Sequence, residues 1–403
     1  MNVDRLFELD ARAVESVRRL EKRRFVWERL VQTEGRPFVA VLGPRGAGKT
    51  VLLRQLRAEL SDALYLSADA LDTDVDLFEL ARRLHEGYGI SALCIDEIHF
   101  VREYARHLKL IHDFLPVKLW FTSSVALSLT ATNWDLSQRV VPIALEPFSY
   151  REYLWFAHDQ GTQPLPLDSC LSEPIPPDYL RLGRRFKSYL EGGLHPFQLA
   201  PGAERGVFEN MLEKVLTSDI PGYDPSLSVE DLDNMRKVVR FIGRSPVDGI
   251  NYSSVAANVG FTKYKAEKYL ECLERSFILT RIFPAGTNVT KEPKVLMQLP
   301  NRLLYRDWES AVGALREDFF AHAMRQHGYT FTYAKSTRGA KTPDYLLDLE
   351  GKPVVVEIGG KGKGRSQFKE LDYERKVVLY DDADGSKLPV PGQRVPLFCI
   401  GFA

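Results

Sequence analysis

An α/β chain of several domains is the fold this sequence predicts: a mostly parallel sheet with helices on both faces, then helical material, then a separate α+β part. Three observations carry that expectation. Between Pro37 and about Leu145, short apolar runs alternate with helical stretches, the rhythm of βαβ units. The stretch VAVLGPRGAGKTVLLRQL (Val39 to Leu56) sets a glycine-rich loop between an apolar strand and an amphipathic helix,. A chain of 403 residues also exceeds what one core organises, so about two to four domains are expected.

Composition narrows the function classes. Apolar residues make up 44% and charged residues 27%, as in a soluble globular protein. Lysine plus arginine total 54 and aspartate plus glutamate total 54, so contact with nucleic acid must come from local basic patches. Cys94, Cys170, Cys272 and Cys399 are scattered without a C-x-x-C pair, which speaks against a zinc site or a disulfide framework and fits a reducing compartment. The start, MNVDRLFELDAR, has no apolar stretch of secretory type,. No apolar run approaches the roughly 20 residues that span a bilayer. A cytoplasmic protein with no membrane partner is expected.

Taken in order, residues 1–35 form an N-terminal helical segment, with Arg18, Arg19, Lys22, Arg23 and Arg24 crowded together; they are a solvated face or a phosphate- or partner-binding one. Residues 36–160 hold the predicted strands FVAVLG, ALYLSA, ALCIDEI, KLWFTSS and VVPIALE. In 161–227, the proline-rich Thr162 to Tyr179 reads as a loop or joint, and helical text runs on to Leu216. Residues 228–300 read as helix, short helix, turn, second helix and ribbon, the order of a winged helix-turn-helix. Its second helix would offer Lys263, Tyr264, Lys265 and Lys268 to DNA phosphates, though such modules also serve as protein–protein joints. Residues 301–403, a helix followed by strands and a hairpin, suggest a separate α+β domain. No internal repeat is found.

The loop satisfies G-x-x-x-x-G-K-[ST] with Gly43, Gly48, Lys49 and Thr50,. The loop Gly43, Pro44, Arg45, Gly46, Ala47, Gly48, Lys49, Thr50 and Val51 would cradle phosphates of ATP or GTP with the backbone N–H groups of its residues other than Pro44, aided by the helix dipole. Lys49 should reach the β- and γ-phosphates, and the Thr50 hydroxyl should ligate Mg²⁺. ALCIDEIHF supplies the second half: Asp96, at a strand's C-terminal end, suits a Mg²⁺-water ligand, and Glu97 the base that orients the attacking water. The next strand ends in Thr122, Ser123 and Ser124, where a polar side chain can sense the γ-phosphate. Arg139 reads either as a finger completing a neighbour's site or as a surface arginine.

LGPRGAGKT, LYLSADAL, CIDEIHF, FTSS, DLSQR and PFSYREYL together resemble a bacterial and archaeal branch of the AAA+ ATPases. Its members join an AAA+ module to a winged helix and a C-terminal restriction-endonuclease-like domain. The resemblance runs on through YLEGGLHPF, SDIP, REDFF, EIGGKGK and PLFCIGF, nearly the whole chain in order. It implies an AAA+ P-loop ATPase core at 36–160, a helical lid at 161–227, the winged helix at 228–300 and the endonuclease-like domain at 301–403. It also implies ATP bound by Lys49 and Thr50, hydrolysis driven by Asp96 and Glu97, Ser123 or Ser124 as sensor, and Arg139 as finger in a homo-oligomer. The family often has two adjacent arginines where this chain has Gln138 and Arg139, so one finger candidate is left.

An endonuclease-like core needs an acid at one strand's end and E-x-K on its hairpin partner. TPDYLLDLEGKPVVVEIGGK offers Asp344 and Glu357 for Mg²⁺, with Glu317 on the preceding helix as a third acid. The lysine position falls on Gly359. Lys361 keeps the parity but lies about 13 Å from Glu357 at roughly 3.3 Å per extended residue, unless Gly359 and Gly360 bend the chain back. An active nuclease, a fold that only binds, and a structural domain remain open. The function expected overall is ATP hydrolysis driving rearrangement of a nucleic-acid-engaging assembly; the alternative is a nucleotide-dependent switch that recruits a protein partner.

Overall fold

The computed structural model describes residues 3–33, 35–72, 74–126, 136–200, 206–286, 292–333, 343–359, 373–381 and 389–403. The chain divides into two compact units. The first comprises Met1–Pro147, Glu213–Leu227 and Arg275–Phe277; the second comprises Phe148–Leu212, Ser228–Glu274 and Ile278–Ala403. Residues 213–227, expected within the lid, thus lie in the first unit.

In the first unit, strands β1 (Phe38–Leu42), β2 (Ala63–Ser67), β3 (Ala92–Asp96), β4 (Lys118–Ser123) and β5 (Val140–Ala144) form one parallel sheet in the order β2-β3-β4-β1-β5. FVAVL, and ALCID up to Asp96 at its end, are apolar because parallel strands are covered on both faces,. Helices α1 (Val3–Val17), α2 (Trp27–Val31), α3 (Lys49–Glu59), α4 (Leu77–Tyr88) and α5 (Tyr104–Phe114) accompany it. The α3 helix buries Leu52, Leu53 and Leu56 against β1, β2 and β3 residues, each worth about 1.5–3 kcal/mol. On the opposite face, Leu80, Leu84, Leu108 and Ile111 of α4 and α5 cover Leu64, Leu93 and Phe121. Edge strand β2 is fastened by the buried Asp10 of α1, which accepts from the Tyr65 N–H at 2.7 Å and takes the Arg57 guanidinium in a two-point pair.

The N-terminal helical segment expected over residues 1–35 is interrupted between Val17 and Trp27. Within that break Arg24 is buried, donating to the carbonyls of Ala47 and Glu146 at 2.6 and 2.8 Å. The solvated face expected of the basic run therefore excludes Arg24. Arg23, by contrast, pairs at the surface with Glu59.

The second unit begins with helix Tyr150–His158, opened by a Ser149–Glu152 capping box,. The proline-rich stretch read as a loop carries two short helices, Leu167–Ser172 and Pro177–Leu182, with Cys170 and Leu171 in the core. Helices Val229–Arg244, Tyr252–Val259 and Lys263–Arg275 come next, followed by the antiparallel pair β6 (Leu279–Ile282) and β7 (Lys294–Met297). Helix Trp308–Gln326 then leads to β8 (Phe331–Tyr333), β9 (Tyr345–Leu349), β10 (Lys352–Gly359), β11 (Arg375–Tyr380) and β12 (Arg394–Pro396), paired in the order β12-β11-β10-β9-β8. The β9–β10 turn places Glu350 and Gly351 at positive φ. Val354, Val356 and Ile358 face the core that Phe319 and Phe320 also fill, while Val355 packs on Val378 and Leu346 on the other side.

Candidate functional site

The phosphate loop leaves β1 at Gly43. A Cβ there would stand 2.0 Å from the Leu145 carbonyl oxygen, so only glycine lets the loop pass the chain leaving β5. Gly48, at φ 92°, turns the loop into α3, a conformation costly for any residue with a side chain. The N-terminus of α3 has no side-chain cap and no acid in its first turn. Its first N–H groups and the positive end of its dipole therefore remain available to an anion. Lys49 is 4% exposed, and its Nζ donates to the carbonyls of Gly43 and Pro44 at 3.0 and 3.1 Å. Thr50 is half-buried and Val51 is exposed.

The acids stand at the C-terminal end of β3. Asp96 is buried and accepts from the hydroxyls of Thr122 and Tyr65, the latter at 2.8 Å. Glu97 sits at φ 53°, a left-handed conformation that costs of order 1 kcal/mol and recurs at working sites. One of its oxygens accepts the Ser124 N–H at 2.8 Å and the other lies 3.8 Å from Lys49 Nζ. Thr122 Oγ1 accepts the Glu97 N–H at 2.9 Å while donating to Asp96. One hydroxyl thus fixes both acids.

The two serines expected as sensors diverge. Ser123 Oγ lies 3.1 Å from His99 Nδ1, whereas Ser124 Oγ donates to Asp219 at 2.8 Å. Burial lowers the His99 pKa against the pull of Glu97 and Asp219, so this ring is neutral near pH 7. Asp219 also takes the Arg45 guanidinium in a fork, Nε to Oδ2 at 3.1 Å and Nη2 to Oδ1 at 2.8 Å. Burial alone would raise the Asp219 carboxyl; the bond and charge of Arg45, with Ser124, outweigh it and hold the pKa below its ordinary value. Arg139 pairs at two points with Asp113 of α5, at 2.9 and 3.2 Å. That bond holds the Asp113 carboxyl well below the usual range.

Three contributors carried no motif signal. Arg24 ties the loop to the chain after β5, Tyr65 holds Asp96, and Asp219 joins Arg45 to Ser124. Tyr65 and Asp219 were visible only within the LYLSADAL and SDIP stretches.

In the second unit, β10 pairs with β9 so that Val356 faces Tyr345, and Asp344 stands one step beyond, level with Glu357. Asp344 accepts the Ile358 N–H at 2.7 Å, and Glu357 is buried. Glu317 does not join them as a third ligand. It is held by Tyr345 Oη at 2.7 Å and Lys294 Nζ at 2.6 Å, and among the described residues no three His, Cys, Asp or Glu side chains gather as a metal site. Desolvation would lower the Lys294 pKa, but Glu317 and Asp344 raise it above its ordinary value. Lys294 of β7 thus lies among the acids Glu317 and Asp344, which spacing did not reveal. Lys361 lies outside the described residues. On helix Lys263–Arg275, Lys263 is paired with Glu292 and Lys265 with Glu230, while Tyr264 is 77% exposed.

A parallel sheet, the glycine loop opening α3 and two acids at the end of β3 define a P-loop nucleotide-binding domain. A family model described as "AAA domain" matches residues 35–154, and a domain of unknown function (DUF8612) matches residues 184–298. The segment 35–154 is an AAA-type domain. No curated protein matches the chain. Among solved structures it is similar to the Walker-type ATPase Paby2304 of Pyrococcus abyssi, with 15% identity, TM-score 0.41, and coverage of 69% of this chain and 92% of that one. The ORC1 protein of Aeropyrum pernix in complex with DNA follows at 13% identity, TM-score 0.29, and 77% and 92% coverage. A structure described as the structural basis for katanin self-assembly shows 20% identity, TM-score 0.23, and 46% and 70% coverage. These likenesses are too distant to bear on function. Among the described residues no helix is long and apolar enough to cross a membrane.

Proposed function

We propose that this chain is an AAA+ ATPase that hydrolyses ATP to drive rearrangement of a nucleic-acid-engaging assembly. The observation that carries the reading is Glu97, held between the Ser124 N–H and Lys49 beside the open N-terminus of α3. The loop N–H groups from Gly43 to Val51 and Lys49 bind the phosphates, and Glu97 orients water toward the terminal one. Asp96 and the Thr50 hydroxyl offer the oxygen donors a hard cation takes, and Mg²⁺ bound there would neutralise charge on the phosphates. Arg139 acts as a finger in a homo-oligomer.

Within the same proposal, residues 228–300 are a winged helix and 301–403 an endonuclease-like domain. The three helices with a ribbon and the alignment of Asp344 with Glu357 support this. A second reading, a nucleotide switch recruiting a protein partner, is favoured by one observation. Lys263 and Lys265 already have carboxylate partners, which DNA phosphates would have to displace. ATPase turnover with and without single- and double-stranded DNA, across a salt series, decides between them, with Mg²⁺-dependent cleavage followed in the same tubes. DNA stimulation that fades as salt rises supports the first reading. Turnover indifferent to DNA, with assembly that depends on nucleotide, supports the second.

A further inference from the structure

Resting on the nucleotide-binding reading, we propose that Arg45 is the residue that tells a nucleoside triphosphate from a diphosphate, and that Asp219 is the carboxylate Arg45 must leave to do so. Arg45 lies inside the phosphate loop, yet its guanidinium is turned to a residue 174 positions along the chain. The pair is lopsided: the Asp219 side chain is 0% exposed and that of Arg45 is 28% exposed. A ligand entering the loop therefore meets the cation and not the anion. Its partner Asp219 also accepts from Ser124 Oγ, and the Ser124 N–H holds Glu97, so the fork stands beside the residues that would meet the terminal phosphate of a triphosphate.

A plain structural role, fastening residues 213–227 to the sheet, explains the geometry less well. A buried ion pair is by itself weak evidence of fastening, since apolar residues of similar volume often stabilise as much or more. An arginine fork, by contrast, matches phosphate as well as it matches carboxylate. Asp219 also accepts from Ser124 Oγ, and the Ser124 N–H holds Glu97. Release of Arg45 from Asp219 thus reaches the residue that orients water. Competition of this kind taxes only the ligand that carries the competing group. Here that group is the γ-phosphate, which ADP lacks.

The test is titration of the full chain with ADP and with a β,γ-imido triphosphate analogue, followed by fluorescence. Arg45→Gln is expected to weaken the triphosphate about tenfold and leave ADP within about twofold, a common size for a site coupling. Asp219→Asn is expected to tighten the triphosphate by about the same factor, and to do nothing further once Arg45 is Gln, as one shared interaction requires. Equal shifts for both nucleotides in Arg45→Gln overturn the proposal. So does an Asp219→Asn effect that persists in the double variant. Should Asp219→Asn fail to melt cooperatively, Arg45→Gln decides alone. If the wild-type chain binds neither nucleotide, the nucleotide-binding reading itself fails, an outcome distinct from either of these.

Discussion

Replacing Glu97 by glutamine separates binding from turnover. The amide keeps the size of the side chain and an oxygen for the Ser124 N–H, so the bond at 2.8 Å can persist. The charge is lost, and with it the ability to orient and deprotonate water. Positioned general bases contribute about a hundredfold to ten-thousandfold, so kcat should fall by that factor, roughly 3–5 kcal/mol of barrier. Affinity should move the other way. At 3.8 Å, with both groups largely buried, the pull of Glu97 on Lys49 is roughly 4 kcal/mol at an effective dielectric near 20, before competing interactions are counted. Lys49 freed of that pull meets a phosphate at lower cost, so ATP should bind Glu97→Gln at least as tightly as wild type. Coupled phosphate release for turnover and fluorescence titration for binding read the two effects independently. Wild-type turnover in this variant refutes the role given to Glu97; loss of ATP binding refutes the claim that its charge is not needed for capture.

Lys49→Ala should abolish nucleotide binding while leaving a cooperative melting transition, because among the described residues the ammonium meets the Gly43 and Pro44 carbonyls and Glu97; calorimetric titration checks it. If Arg139 works in trans, specific ATPase activity should rise with enzyme concentration, and mixing Arg139→Ala with Glu97→Gln should restore activity; strict proportionality and no rescue remove that role. For pH, burial lowers His327 from its ordinary value to about 4. The unfolded chain takes up that proton near pH 6.5 and the folded one only near 4. Stability therefore holds above about 6.5 and falls as pH drops toward 4, by at most about 1.4 kcal/mol per unit. Denaturant unfolding across that range should show a shallower slope in His327→Gln.

What the sequence made legible follows from the range of the interaction involved. The parallel strands appear as apolar runs because both faces are covered, and the phosphate loop appears because its glycines and Lys49 are neighbours in the chain. Arg24 looked like one member of a solvated basic run, since nothing local shows that its guanidinium turns inward onto the Ala47 and Glu146 carbonyls. Asp219 and Lys294 were illegible for a related reason. Each meets its partner across a long loop closure, and an ion pair imposes no spacing on the sequence. The expectation that Glu317 would add a third carboxylate failed on geometry. It comes from the helix side of the sheet with Tyr345, whereas Glu357 shares the strand parity of Val355, on the opposite face.

Three charged groups of the nucleotide site already have partners within the chain. Lys49 has the Gly43 and Pro44 carbonyls, Arg45 has Asp219, and Glu97 has the Ser124 N–H. Ligand capture here is an exchange of partners, so affinity is a difference between two sets of bonds and not the sum of the new ones. Truncating one member of such a set leaves the other buried and unmatched, at about 1–3 kcal/mol or more for a charged group. Single alanine variants will therefore overstate what each residue gives the nucleotide. Cycles that remove both members, such as Arg45 with Asp219 or Lys49 with Glu97, isolate the interaction the ligand replaces. A site built this way reports its nucleotide through which internal bond is broken.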